Sequence, residues 1–210
     1  MHTKVLPKGS TKLLAELGGT ESPLLKGWTL AGGTGLALHL GHRLSEDFDF
    51  FRTDTMDVKD LHAVLGLLGK YETLQEAEHT LTVIVMGIKV SFFQIAERFL
   101  YATTPHSFFR IADPRDIGLM KLVAVSGRGN RKDFVDLYAI LRSGIRLKDL
   151  FKDLPRKYRT GRTNEYHILK SLTYFDDAEK EPLPRMLVPF EWKECKRHFI
   201  REAQSIVLPP

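Results

Sequence analysis

The sequence predicts an α+β protein in which a small mixed β-sheet is followed by a helical C-terminal bundle. In the first half, short apolar segments are separated by turn residues, a pattern typical of strands. From Asp113 onward the signals become helical, because Asp113 can cap a helix N-terminus and Pro114 suits the first helical position. We therefore expect a sheet-containing core over residues 1–112 and a helical region over residues 113–210 that completes a functional cleft.

The elements of the first half follow from apolar spacing and turn residues. Residues 28–31 and 47–51 are predicted as strands, and Gly87 is expected to make the turn between the last two of three later strands. The expected helices are residues 10–17, 36–40 and 58–68, and the three later strands are residues 71–79, 81–86 and 88–95.

Composition limits the class of protein. The chain has 210 residues, of which 43% are hydrophobic, enough for one proper core. Its net charge of +5 permits a polyanionic partner without requiring one. The single Cys195 cannot form an internal disulfide and no signal peptide is evident, so a cytoplasmic location is expected. The longest uncharged stretch, residues 27–42, is too short to span a bilayer, and no membrane association is expected.

The first candidate site is a glycine turn followed by a pair of acids. Gly32 and Gly33 lack side chains, so backbone N–H groups and the Thr34 hydroxyl can approach phosphate oxygens at a helix N-terminus. On the predicted strand, Asp47 and Asp49 project to one side because residues i and i+2 share a face. Two adjacent acids on such an apolar strand favour a divalent cation such as Mg²⁺.

Other phosphate and metal motifs fit these letters less well. A Walker A loop needs a lysine after its glycines, and the dinucleotide fingerprint needs a third glycine where Leu38 stands. An EF-hand needs further oxygen ligands where Phe51 and Arg52 stand. The Asp-x-Asp of haloacid-dehalogenase-type phosphatases stays open as an alternative, although that motif has Thr or Val at the position of Phe51 and no preceding glycine turn.

The second candidate site lies in the predicted helices. Lys121 is the only charge between Ile117 and Val125, so a largely buried helix carries one ammonium that needs an anion. Asp133 and Asp136 lie on a different face from the apolar stripe of the next helix. Asp133 can complement the helix dipole, whereas Asp136 suits a partnership with Lys121, an arginine or the metal.

A basic segment follows. Between residues 148 and 162 there are six basic residues and only two acids, a composition that suits either a solvated face or an RNA-binding face. Arg128 and Arg131 lie in a basic connector shortly before it. The basic residues of the segment are Lys148, Lys152, Arg156, Lys157, Arg159 and Arg162.

Taken together, these motifs resemble the AbiEii/AbiGii toxin family of nucleotidyltransferases. The resemblance begins with the string from Gly32 to Phe51 and continues through Asp116-Ile117-x3-Lys121. It extends over residues 128–138 and over the run Tyr-Phe-Asp-Asp-Ala-Glu at residues 174–179. It implies a polymerase-β-like nucleotidyltransferase fold, and a toxin of a bacterial toxin–antitoxin or phage-abortive system. Some members of that family add nucleotides to the acceptor end of tRNA.

The resemblance also implies roles for individual residues. Mg²⁺ would be the cofactor, held by Asp47 and Asp49, and an NTP would be the substrate, with Lys121 at its phosphates. Asp133 and Asp136 would be catalytic or structural. The partners implied are an RNA acceptor, with tRNA expected, and a cognate antitoxin protein. The expected nucleotide-binding residues are Gly32, Gly33, Thr34, Arg43, Ser45 and Lys121, and the expected RNA-binding residues are Arg128, Arg131, Arg156, Lys157 and Arg159.

One departure from the wider superfamily concerns the metal site. A third carboxylate often lies on a later strand there, but the corresponding strand here, residues 89–93, has Ser91. Either Asp136 or substrate phosphates complete the metal shell, or the site binds nucleotide and transfers it poorly. A catalytically reduced nucleotide- or RNA-binding protein is therefore the main alternative function.

Overall fold

The computed structural model describes residues 1–19, 24–159 and 163–208. A single mixed sheet of seven strands forms the centre of the first half. The strands are β1 (Thr29–Leu30), β2 (Phe48–Arg52), β3 (Tyr71–Ala77), β4 (Thr80–Val85), β5 (Ile88–Gln94), β6 (Thr104–His106) and β7 (Phe109–Ile111). Their order across the sheet is β3-β4-β5-β2-β1-β7-β6. The mixed sheet expected from the sequence is confirmed, with β6 and β7 as two strands that the sequence did not predict.

Strand β2 lies at the centre of the sheet. It pairs in parallel with β5 and antiparallel with β1, and β1 pairs in parallel with β7. Phe48 and Phe50 are fully buried on one face of β2, stacked with ring centroids 6.3 Å apart, whereas Asp49 points to the other face. The alternation predicted for this strand is therefore confirmed, and the strand carries a polar face toward the C-terminal helices.

The helices of the first half are short. They are α1 (Ser10–Leu17), α2 (Gly32–Leu40) and α3 (Val58–Leu67), preceded by a 3₁₀ turn at Thr3–Val5. Helix α2 begins at Gly32, directly after β1, and not at Leu36 as the apolar pattern suggested. The glycines at its start have low helix propensity, so the pattern alone underestimates this helix.

Helices are the regular elements of the second half among its described residues. Asp113 accepts a hydrogen bond from the Arg115 backbone N–H and Pro114 occupies the first turn, as predicted. The helices are α4 (Pro114–Gly127), α5 (Arg131–Arg142), α6 (Leu147–Tyr158), α7 (Glu165–Ser171), α8 (Asp176–Glu179) and α9 (Trp192–Gln204). None of the helices described is both long enough and apolar enough to cross a membrane.

Two apolar clusters form the core. The first comes from residues 5–111 and packs the sheet against α1 and α3. The second joins α4 to α9 and also includes Ala31 and Leu36, whereas Ala37 and Leu38 belong to the first cluster. Helix α2 therefore packs into both clusters. The division of the chain at residue 112 stays a prediction.

The chain returns to the first half after α8. The Leu44 backbone N–H donates to the Arg185 carbonyl at 2.9 Å, and the Leu187 N–H donates to the His42 carbonyl at 2.9 Å. Arg43 and Met186 form an antiparallel bridge between these two bonds. This closing pair, residues 42–44 with 185–187, brings a late segment of the chain against the loop that follows α2.

Candidate active site

A cleft of about 570 Å³ lies between the polar face of the sheet and helices α4 and α5. Both halves of the chain line it, and cationic residues outnumber acidic ones. The cations are Arg43, Lys89, Lys121, Arg128, Lys132 and Arg185, and the acids are Glu46, Asp47 and Asp49. Such a lining suits a polyanion that is bound beside a small acidic site.

The acids that we call the strand pair, Asp47 and Asp49, lie on the floor of the cleft. Asp47 immediately precedes β2, and its Oδ2 is 2.9 Å from the Lys89 Nζ, with both side chains more than a third exposed. No described residue donates a hydrogen bond to the Asp49 carboxylate. Burial raises the pKa of Asp49, and so does the charge of Asp47, while Lys121 opposes this shift. An ionised Asp49 is therefore short of positive charge.

The glycine turn leads directly into this acidic site. Gly32 has a φ of +60°, and a Cβ there would lie 2.5 Å from the Asp49 Oδ2. A Cβ on Gly33 would collide with the Arg43 Nη2. A side chain at Gly32 would displace the Asp49 carboxylate and one at Gly33 would displace the Arg43 guanidinium, so glycine keeps both groups close to the backbone of the turn.

Thr34 takes a different position from the one expected. Its side chain is buried, with 1% exposure, and it does not line the cleft. The hydroxyl contacts the Ser45 hydroxyl at 2.7 Å and the Asp47 carbonyl. The expectation that this hydroxyl is free for phosphate is corrected, because the hydroxyl is used to hold the loop that carries Ser45 and Asp47. Ser45 itself does line the cleft.

The acids that we call the helix pair, Asp133 and Asp136, are fully buried on α5. Lys121 of α4 bonds both of them, at 2.8 Å to the Asp133 Oδ1 and 2.6 Å to the Asp136 Oδ2. Arg43 grips Asp136 through Nε at 2.6 Å and Nη2 at 2.8 Å, and His42 Nε2 lies 2.8 Å from the same carboxylate. Lys121 therefore has the buried anions that the sequence led us to expect.

The pKa shifts of the helix pair follow from these contacts. Burial by itself raises the pKa of Asp136, but Lys121 and Arg43 outweigh it and hold that pKa well below the ordinary value. The pKa of Asp133 is likewise lowered, because Lys121 and Arg128 overcome the effect of burial. Both oxygens of Asp136 are occupied, and Asp136 does not line the cleft. The alternative in which Asp136 completes the metal shell is therefore not supported.

Ser91 lies beside the strand pair, where a third acid would complete it. In the β2–β5 pairing its Cα is directly opposite Asp49, and its side chain is almost completely buried at 3% exposure. Its hydroxyl accepts a hydrogen bond from Thr82 at 3.2 Å. Among the described residues, no cluster of three or more His, Cys, Asp or Glu side chains could hold a metal ion. Besides Glu46, the carboxylates that line this cleft are those of the strand pair.

The residues expected to bind RNA divide into two groups. Lys157 was predicted to bind RNA at the surface. Instead it is buried, with its Nζ 2.8 Å from the Asp116 Oδ1. Arg131 donates to the Ala178 and Glu179 carbonyls and stacks on Trp192, which makes it a link between α5 and α8.

The other basic residues remain at the surface. Arg128 and Arg156 each have more than half of the side chain exposed, although each pairs with a carboxylate. Arg159 is exposed as well, at a positive φ of 49°. Arg162 lies outside the described residues. Three of the five expected residues are therefore accessible to an acceptor.

Three cleft cations were not singled out from the sequence. Lys89 precedes Ser91 by two residues on β5, so strand alternation could have placed it on the same face. Lys132 directly precedes Asp133 and could have been found from that motif. Arg185 reaches the cleft only through the closing pair, and no local pattern predicts it.

Comparison with known sequences gives two results. The family model described as "Nucleotidyl transferase AbiEii toxin, Type IV TA system" matches residues 13–89 and 87–207. An uncharacterised protein of Aquifex aeolicus (strain VF5) is 36% identical over 181 residues, which cover 84% of this chain and 86% of that protein. The similarity therefore extends over both halves of the chain.

Solved structures share the fold. The crystal structure of JHP933 from Helicobacter pylori aligns with a TM-score of 0.53 at 17% identity, covering 97% of this chain and 89% of that one. MenT4, a nucleotidyltransferase toxin of Mycobacterium tuberculosis H37Rv, aligns with a TM-score of 0.50 at 15% identity, covering 95% of this chain and 82% of that one. At these identities the likeness concerns the fold alone.

Proposed function

Because the chain belongs to the AbiEii family of nucleotidyltransferase toxins, we propose that it transfers a nucleotide from an NTP to an RNA, with tRNA as the acceptor class. Membership in a type IV toxin–antitoxin family implies an NTP substrate and an antitoxin partner. The observation that carries the proposal is the cationic cleft that ends at the strand pair beside a glycine turn. Membership in a nucleotidyltransferase family favours transfer over the phosphatase alternative.

The strand pair fits a divalent cation. Two carboxylates lie on one face of the sheet, and the partly buried Asp49 has no hydrogen-bond donor among the described residues. Oxygen ligands of this kind suit Mg²⁺, which keeps part of its shell for water and substrate phosphates. When bound, Mg²⁺ would neutralise charge on the phosphates. The residues that would hold it are Asp47 and Asp49.

The triphosphate would lie between the glycine turn and the cationic wall. Gly33 and Ser45 offer a backbone N–H and a hydroxyl from one side. Lys132 and Arg185 are exposed cations on the other side. Lys121 lines the same cleft, and the helix pair outweighs the effect of burial to raise its pKa, so it stays an ammonium that can face the phosphates. The Arg43 guanidinium lies against Gly33 of the turn and donates a hydrogen bond to Asp136.

The chemical step is an in-line displacement at the α-phosphorus. The acceptor hydroxyl oxygen forms a bond to the α-phosphorus while the bond from that phosphorus to the oxygen bridging the β-phosphate breaks. Pyrophosphate leaves with that bonding pair, and the hydroxyl proton passes to solvent by way of the cleft carboxylates. The acceptor would approach along the exposed Arg128, Arg156 and Arg159, whose charge suits a phosphate backbone.

The proposal is tested by incorporation of label. The protein is incubated with Mg²⁺, total bacterial RNA and, in separate reactions, each NTP labelled at the α-phosphate. The proposal is supported if tRNA-sized RNA becomes labelled and if this labelling is lost when EDTA is added or when the Asp49→Asn variant replaces wild type. NTP binding without incorporation would support the catalytically reduced alternative. Phosphate release from a monoester without incorporation would support the phosphatase.

A further inference from the structure

The strand pair already has one cation from the protein. The Lys89 Nζ lies 2.9 Å from the Asp47 Oδ2, and both residues line the cleft. The parallel pairing of β2 with β5 places Phe48 opposite Val90 and Asp49 opposite Ser91. One residue earlier, Lys89 therefore lies beside Asp47, on the same face of β5 as Ser91. An ammonium and a neutral hydroxyl thus flank the two acids.

A site for two divalent ions needs more negative charge than this one provides. In two-metal phosphoryl-transfer sites the ions lie about 4 Å apart and stabilise the attacking and leaving oxygens together. At the position beside Asp49, Ser91 is neutral and its hydroxyl is bonded to Thr82. The helix pair cannot contribute, since its carboxylates are bonded to Lys121, Arg43 and Arg128.

From this arrangement we infer that Lys89 takes the place of a second metal ion, so that the strand pair binds a single divalent cation. The inference rests on the proposed function, and it states which groups supply positive charge where the nucleotide would react. Two divalent ions on three carboxylates leave one net positive charge. One divalent ion and the Lys89 ammonium on the two carboxylates leave the same net charge. The loss of the third acid and the presence of Lys89 therefore together offset the two positive charges of the absent second ion.

Among the described cleft cations, Lys89 is the one that forms an ion pair with the strand pair. Lys121, Arg43 and Arg128 form their ion pairs with the buried helix pair. Lys121 and Lys132 act on Asp49 through their charge without an ion pair to it. As an ordinary ion pair, the half-exposed Lys89 and Asp47 would contribute no more than about 1 kcal/mol to folding. A change at Lys89 should therefore alter metal binding and catalysis far more than stability.

The first experiment counts metal ions on the full-length protein. Mn²⁺ is titrated without nucleotide and the bound ions are counted by electron paramagnetic resonance. We expect one ion for wild type, for Lys89→Met and for the matched surface control Lys70→Met, which is exposed and does not line the cleft. The double variant Lys89→Met with Ser91→Asp should bind two ions, because it restores a third carboxylate and removes the ammonium.

The second experiment separates catalysis from nucleotide binding. Lys89→Met should lower kcat for label incorporation by about 100-fold, the scale of losing one charge-stabilising donor. The KM for the NTP should stay nearly unchanged, and Lys89→Arg should recover much of the rate because it keeps the charge. Melting temperatures show whether each variant is folded. If the double variant unfolds, the ion count of wild type and the kcat of Lys89→Met still decide the inference.

Two results would overturn the inference. One is a wild-type protein that binds two Mn²⁺ ions, and the other is a folded Lys89→Met variant with unchanged kcat. Failure of the proposed function would look different. Wild type would then incorporate no label from any NTP, while its Mn²⁺ count would still report whether the site accepts one ion or two.

Discussion

The cleft has two pairs of aspartates, and their surroundings are opposite. The strand pair is two residues apart at the start of β2 and lies at the floor of the cleft, where Asp49 has no hydrogen-bond donor among the described residues. The helix pair is three residues apart on α5 and is fully buried under Lys121, Arg43, His42 and Arg128. The same side chain is therefore short of positive charge in one place and saturated with it in the other.

This contrast assigns different physical roles to the two pairs. Burial raises the pKa of Asp49, whereas neighbouring cations lower the pKa of Asp136 despite its burial. When a metal ion binds, it stabilises a carboxylate that burial destabilises. A carboxylate that already has several cations contributes to folding and positions those cations. We therefore expect the strand pair to control activity and the helix pair to control stability.

The largest effect is expected at Asp136. Asp136→Ala removes the partner of Lys121, Arg43 and His42 and leaves buried charge uncompensated, which should lower the free energy of unfolding by about 3–5 kcal/mol. Urea denaturation followed by circular dichroism measures this change. Asp49→Ala is the matched control and should lose little or no stability. A loss below about 1 kcal/mol in Asp136→Ala would contradict the structural role of the helix pair.

The next effect is on activity. Asp49→Asn keeps the shape of the side chain but removes the charge that would hold Mg²⁺, so nucleotide incorporation should fall by at least about 100-fold. Its melting temperature should stay the same or rise, because a carboxylate destabilised by burial is replaced with a neutral amide. An Asn variant with full activity, measured by label incorporation at saturating Mg²⁺, would remove Asp49 from the metal site.

A smaller effect is expected at the turn that touches the strand pair. Gly32→Ala must adopt a positive φ, which costs about 1–2 kcal/mol, and its methyl group would collide with the Asp49 carboxylate. Both stability and Mn²⁺ affinity should therefore fall. Gly66→Ala is the control, since Gly66 lies in α3 with open space around its Cα. That change should stabilise the protein slightly. Equal behaviour of the two variants would exclude a special role for the turn.

The smallest effect concerns the exposed cations. Lys132→Ala combined with Arg185→Ala should flatten the dependence of NTP affinity on salt, because both cations face the triphosphate. Arg156→Ala combined with Arg159→Ala should flatten the dependence of RNA affinity on salt by up to about one unit per lost phosphate contact. Filter binding at several salt concentrations measures both slopes. Unchanged slopes in both double variants would mean that these residues are solvent-exposed charges without a role in binding.

Local patterns predicted much of the strand pair and little of its surroundings. The alternation of Asp47, Phe48, Asp49 and Phe50 was enough to assign the two faces of β2, because a strand has a period of two. The helical spacing of Asp133 and Asp136 likewise predicted a shared polar face toward Lys121. These features depend on neighbours within one element, which a sequence displays directly.

The errors came from contacts between distant residues. Lys157 has the composition of a surface residue, but Asp116 lies 41 positions away and draws it into a buried ion pair. The Thr34 hydroxyl is bound by a carbonyl 13 residues later, and no local pattern announces that contact. Strands β6 and β7 have three residues each and β6 includes Pro105, so the pairing of β7 with β1 and of β6 with β7 had to be seen in the fold.

The closing pair also has a consequence for synthesis of the protein. A ribosome releases a chain from its N-terminus, and early segments can fold before later ones appear. The sheet and the strand pair emerge first, but Met186 pairs with Arg43, and Arg185 lines the cleft, only much later. A nascent chain therefore carries an incomplete cleft until both partners of this pairing have left the ribosome. For a toxin made in the cell that it can harm, the order of translation itself delays the appearance of the assembled enzyme.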